Sequence, residues 1–234
     1  MHHETRRTIS AGLRSLFLNG PSGQLEALLN EGHSDAPYSA LVCHPHPLYG
    51  GTMHTKAVYH TAKALNGFGF PVLRFNFRGV GRSAGEHAEG HGEVEDVRTA
   101  LDWLDSEFHR PIIAAGFSFG AAVNMKASCP DPRVSAIISL GTPISAEGRE
   151  YQYRFLSDCT KPKLFLSGGN DQYGARPDLE HMFSHVADPK RLVFVDKADH
   201  FFEGHLPAMR TELERWIRDE LLAPGGNGAQ KAAS

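Results

Sequence analysis

The stretch IIAAGFSFGAAVNMKA, residues 112–127, sets the frame for the whole chain. Ile112 to Ala115 are apolar without polar alternation, as a strand buried on both faces requires. The following AAVNMKA, residues 121–127, favours helix. Between them lies GFSFG, a serine with a glycine two residues to either side. A strand that passes straight into a helix forces two backbones together, and Gly116 and Gly120 leave room for the crossing. Ser118 then sits on a strained turn with its hydroxyl outward. That is the carboxyl edge of a parallel sheet, where open α/β folds bind ligands. The competing reading makes Ser118 an ordinary helix N-cap.

Similar apolar runs recur on both sides: Leu41 to Cys43, Val72 to Phe77, Ile137 to Leu140, Leu164 to Leu166 and Leu192 to Val195. Helical patterns lie between them. In EVEDVRTALDWLDSEF, Val94, Val97, Leu101, Leu104 and Phe108 fall on one face of a 3.6-residue period. Residues 54–66 and 176–186 read as helices too, as does the stripe Leu206, Met209, Leu213, Trp216 and Ile217. Strand and helix in alternation imply right-handed crossovers and a doubly wound, mostly parallel sheet. RSLFLNG and QLEALLNEG around PSG read as an antiparallel hairpin on its edge. The expected organisation is one α/β domain over residues 1–222, then a small, polar, disordered tail, 223–234.

Composition narrows the partners. The 234 residues are 41% hydrophobic with a net charge of -3, enough for a sizeable core and no lure for phosphate backbones or anionic lipid. Nucleic acid and membrane partners are therefore not expected. No apolar stretch is long enough to span a bilayer, and the N-terminus lacks a signal-peptide core. Cys43, Cys129 and Cys159 have no motif spacing, so free thiols in a reducing cytoplasm are expected.

A serine hydroxyl needs a base to become a nucleophile. On this architecture an acid and then a histidine follow the serine along the chain. Asp171 comes just past the run Leu164 to Leu166, in LFLSGGNDQYG. His200 follows Val195, in LVFVDKADHFF. Ser118, Asp171 and His200 thus stand in the required order, each after a separate expected strand. Asp178, Asp196 and Asp199 compete for the acid role, and a rival reading makes Asp171 the cap of the next helix; Asp171 is preferred because its loop lies across from that of His200.

HPHPLYGG, residues 44–51, follows the strand that ends at Cys43. A tetrahedral intermediate needs two N–H donors for its oxyanion, one from the residue after the nucleophile and one from such a loop. These are Phe119 and His46; Pro45 and Pro47 have no N–H and stiffen the loop around His46. Metal binding by His44 and His46 is the rival, but no third ligand is evident. In GEHAEGHGE, residues 85–93, the order of His87, Glu89 and His91 fits no metalloprotease motif, and its glycines argue for a polar loop. His181 and His185 are expected to face solvent. FRGVGRSAG, residues 77–85, misses the dinucleotide glycine spacing and reads as a turn, with Arg78 a candidate supporter of the site.

These motifs together resemble the small single-domain α/β-hydrolases. The resemblance is close to the bacterial cytoplasmic hydrolases whose loop reads HPHPxxGG, and it spans about residues 10–222. Relatives include the dienelactone hydrolases, which carry cysteine where this chain has Ser118. The resemblance implies Ser118 as nucleophile, Asp171 as acid, His200 as base and ester hydrolysis of no particular substrate. A carboxylic ester hydrolase is the expectation, with no metal and no cofactor. Thioesterase, acyltransferase or peptidase activity on the same residues stays open, as does a non-catalytic binding protein. The interval from Leu140 to Leu164 holds at most a short helix near Glu150 to Leu156, too little for a substantial cap. An open cleft follows, lined by Leu48, Tyr49, Phe117, Ile144, Tyr173 and Phe201 together with Phe119, and suited to small, soluble acyl esters. For Phe117 a core position is the alternative reading. Oligomeric state stays open, a homodimer included.

Overall fold

The computed structural model describes residues 12–146 and 149–223; of the expected tail, 223–234, all but the first residue lies outside them. Strands β1 (Leu13–Gly20) and β2 (Gly23–Asn30) form the antiparallel hairpin, in register from Leu13↔Asn30 to Gly20↔Gly23. Then come β3 (Ser39–Cys43), α1 (Lys56–Gly67), β4 (Val72–Phe75), α2 (His91–Phe108), β5 (Ile112–Phe117), α3 (Phe119–Ser128) and β6 (Val134–Leu140). A two-residue ribbon, β7 (Ser145–Ala146) with β8 (Arg149–Glu150), precedes β9 (Lys163–Gly168), α4 (Arg176–Ser184), β10 (Lys190–Val195) and α5 (Leu206–Trp216).

Eight strands make one sheet in the order β1-β2-β4-β3-β5-β6-β9-β10. From β4 to β10 every pairing is parallel, and the hairpin joins through the antiparallel pair β2 and β4. The apolar runs are continuous because helices cover both faces. In β5, Ile112 and Ala114 enter the core under α2 and α3, while Ile113, Ala115 and Phe117 enter the one under α1 and α5. The same alternation divides Leu41 and Cys43 from Ala40 and Val42 in β3. Val97, Ala100, Leu101 and Leu104 of α2 fill the first core; Met209, Leu213 and Trp216 of α5 fill the second. β10 is an edge strand and only half-buried, unlike its inner neighbours.

Several boundaries differ from expectation. β4 ends at Phe75 rather than Phe77, although the Asn76 N–H still donates to the Glu26 carbonyl of β2. α2 begins at His91 and includes Gly92, since the buried Glu93 carboxylate accepts from the amides of Ala88 and Gly90 and offsets the weak helix propensity there. In place of a helix at 150–156 there is a single 3-10 turn, Arg154–Ser157. Among the described residues between β6 and β9, the ribbon and that turn are the only regular structure, so no helical lid covers the carboxyl edge there. All three cysteines are free, and no described helix is long and apolar enough to cross a membrane.

Candidate active site

Ser118 occupies the junction of β5 and α3 with φ 56° and ψ −123°, a region that side chains other than glycine rarely enter. Crowding at the junction explains the flanking glycines. A Cβ on Gly116 would meet the Gly120 carbonyl oxygen at 2.4 Å, and one on Gly120 would meet that of His44 at 2.2 Å. The Ser118 N–H donates to the Leu140 carbonyl at 2.9 Å, fixing the turn to β6. Its side chain caps nothing on α3. Instead Oγ lies 2.8 Å from Nε2 of His200, which disposes of the N-cap reading.

His200 arrives on the loop after β10 and is 2% exposed. Its Nδ1 is 2.9 Å from both carboxylate oxygens of Asp171. Asp171 stands on the loop after β9, where Oδ1 also accepts from the amides of Tyr173 (2.9 Å) and Gly174 (3.1 Å). The carboxylate is therefore held on one side by amides and on the other by the ring, which assigns the proton to Nδ1 and leaves Nε2 an acceptor facing the serine. Asp171 does not cap α4, whose N-cap is Ala175. Of its competitors, Asp199 accepts from the Glu203 amide, while Asp178 and Asp196 are exposed. The imidazole is walled by Phe117 (ring centroids 5.1 Å), Tyr173 (4.7 Å) and Phe201 (5.2 Å).

The HPHP loop is tied down from within. Fully buried His44 donates from Nδ1 to the Pro45 carbonyl (2.7 Å) and accepts at Nε2 from the Phe77 amide (2.9 Å). Burial lowers its pKa to about 4, so it stays neutral, with both nitrogens in use and none spare for a metal. His46 Nδ1 accepts from the Leu48 amide at 3.2 Å, and its ring lies 4.7 Å from that of Phe119. Burial, then the charges of Arg149 and His87, lower its pKa to about 4 as well. The amides of His46 and Phe119 donate to no other described residue. Among the described residues no three His, Cys, Asp or Glu side chains gather to hold a metal.

A cavity of about 150 Å³ opens beside Ser118 and His200. Tyr49, Tyr173 and Phe201 line it, together with His46. Four other expected lining residues do not. Phe117 is fully buried and packs behind the imidazole, because β5 turns it into the core under α1 and α5. Leu48 is 67% exposed and does not line the cavity. Ile144 packs against the other core, and its amide donates to the Tyr173 carbonyl at 2.8 Å. Phe119 is likewise buried, its ring in tilted or edge-on contact with His46, Phe77 and His87. Arg78 is not at the site at all: its guanidinium grips the buried Asp96 of α2, with Nη2 2.7 Å from Oδ1. The cavity also takes Pro45, Pro143, Ala146, Arg149 and Tyr151, which sequence reasoning missed. Three of them lie in or beside the ribbon, where two-residue strands leave no periodicity to read. His181 and His185 are exposed on α4 and its end, as expected.

Comparison with known proteins agrees with this architecture. A family described as an alpha/beta hydrolase domain matches residues 41–218. An uncharacterized protein of Rickettsia prowazekii is 36% identical over 219 residues, covering 91% of this chain and 90% of its own. A lidless α/β serine hydrolase of Xanthomonas campestris superposes with a TM-score of 0.79 at 31% identity, covering 91% of this chain and 97% of that one. An α-β serine hydrolase homologue from Coxiella burnetii gives 0.78 at 34%, covering 90% and 99%.

Proposed function

Since the chain belongs to the α/β-hydrolase family, we propose that it is a carboxylic ester hydrolase that works through an acyl-enzyme on Ser118. The observation that carries this reading is the 2.8 Å approach of a strained serine hydroxyl to an imidazole whose far nitrogen is held by Asp171. His200 takes the hydroxyl proton as Oγ attacks the acyl carbon. Asp171 keeps the ring in the tautomer with Nδ1 protonated and stabilises the imidazolium. The amides of Phe119 and His46 receive the oxyanion; the proline on each side of His46 holds its N–H in place beforehand. The alcohol leaves with the proton from His200, and a water activated by the same ring releases the acid. Every group in this sequence belongs to the chain itself.

The cavity of about 150 Å³ is below the roughly 300–1,000 Å³ of most ligand sites, which favours short acyl groups. Free cysteines fit a reducing cytoplasm as the place of action. A fluorophosphonate probe tests the nucleophile: labelling of the wild type that persists in Ser118→Ala would refute it. Rates on p-nitrophenyl acetate, an acyl-CoA and a peptide amide, measured side by side, separate ester hydrolysis from the thioesterase and peptidase alternatives. Preference for either of the latter two would replace the ester reading.

A further inference from the structure

Among the described residues that line the cavity, one is permanently charged, Arg149. It sits on β8, paired with Ala146 of β7, and the ribbon is fastened from below. The amides of Ile144 and Ser145 both donate to the Tyr173 carbonyl (2.8 and 3.2 Å), and that of Tyr151 donates to the Ile144 carbonyl (3.2 Å). The ribbon therefore hangs from the same loop that carries Asp171, so Arg149 is registered against the reacting serine. Its guanidinium lies 5.4 Å from the ring centre of Tyr49, on the opposite wall. Among the described residues it forms no ion pair, which is also true of Arg74, Arg82, Arg110, Arg154 and Arg218; what sets Arg149 apart is that it lines the cavity beside Ser118. Asp171 is committed to His200, and Glu93 to His87 and two amides. The side chain's positive potential reaches across the cavity, since it helps hold His46 neutral.

Resting on the esterase reading above, we infer that the natural substrate is an ester carrying a second, anionic group, a carboxylate that Arg149 receives at the mouth of the cavity. The tyrosine face orients the guanidinium and a carboxylate completes its fork of donors. Arg149 is thus a specificity-determining residue.

The test compares two matched pairs of esters on the full chain. One pair is mono-p-nitrophenyl glutarate and p-nitrophenyl pentanoate, with the charge on the acyl side. The other is para-acetoxybenzoate and phenyl acetate, with the charge on the alcohol side. In the wild type, kcat/KM favours the charged member of at least one pair. Arg149→Gln lowers that charged-to-neutral ratio about 10-fold, Arg149→Lys retains much of it, and Arg149→Glu lowers it further. Which pair responds tells which side of the ester bears the carboxylate. Equal ratios in wild type and Arg149→Gln for both pairs would overturn the role of Arg149 and leave the esterase intact. Failure to turn over any of the four esters, with no fluorophosphonate labelling of Ser118, would overturn the underlying reading and this inference with it.

Discussion

At the scale of single residues, the proposed mechanism divides the arrangement around Ser118 into groups that would react and groups that would hold them. Replacing Ser118 by Ala should cut kcat on the order of 10⁶-fold, as loss of a nucleophile does elsewhere, with folding unchanged by circular dichroism. Asp171→Asn should cost about 10⁴ in kcat, because an amide no longer favours the proton on Nδ1. A similar KM would mark the loss as one of chemistry. His44 holds rather than reacts. Its folded pKa, about 4, lies below the roughly 6.5 of an unfolded histidine. Between those values the unfolded chain binds a proton that the folded one refuses, so stability rises with pH there and is lost as pH falls. The difference amounts to about 3 kcal/mol by pH 4. Thermal melting at intervals from pH 7 to 4 should show a steady fall in Tm that His44→Gln makes shallower; parallel curves would refute the assignment.

At the scale of elements, the junction of β5 and α3 depends on two absent side chains. Gly116→Ala places a carbon 2.4 Å from a backbone oxygen that cannot swing aside, so strand and helix must part. The expected result is a drop in denaturant midpoint together with slower fluorophosphonate labelling, since the same movement displaces Ser118. Retained midpoint and labelling would show that the crossing is not limiting. The elements that the sequence displays most openly are those that bury a full face. The runs at Leu41 to Cys43 and Ile112 to Ala115 are apolar throughout because both sides of the sheet are covered, and α2 shows its stripe because one side is solvated. The ribbon of β7 and β8 has no such signature. Two-residue strands are made by backbone contacts to the Tyr173 loop, and nothing in IleSerAla or ArgGlu announces them. Phe117 misled for a related reason: its neighbour Ser118 faces outward, and only the strand's alternation, carried one residue further, places its ring inside.

At the scale of the whole molecule, the sheet lays three loops from distant parts of the chain along one edge, and that much follows from the order of strands alone. What no pattern revealed is how those loops are covered. Helix α5 and α1 close one face, α2 and α3 the other, and the described segment between β6 and β9 leaves the edge without a helical lid. Without a lid there is nothing for an oil–water interface to open. Rates on short acyl esters should therefore follow simple saturation through the solubility limit of the substrate and decline as the acyl chain lengthens. A sharp rise on emulsified substrate would contradict the open edge.

The position of His200 in the final strand-to-helix loop has a bearing on how the molecule is made. During synthesis the elbow and its serine emerge from the ribosome long before the imidazole that would activate it. An incomplete chain carries a hydroxyl no more dangerous than any other, and competence arrives only when the last crossover docks against its neighbours. On the proposed mechanism, reactivity would wait for completion of the fold.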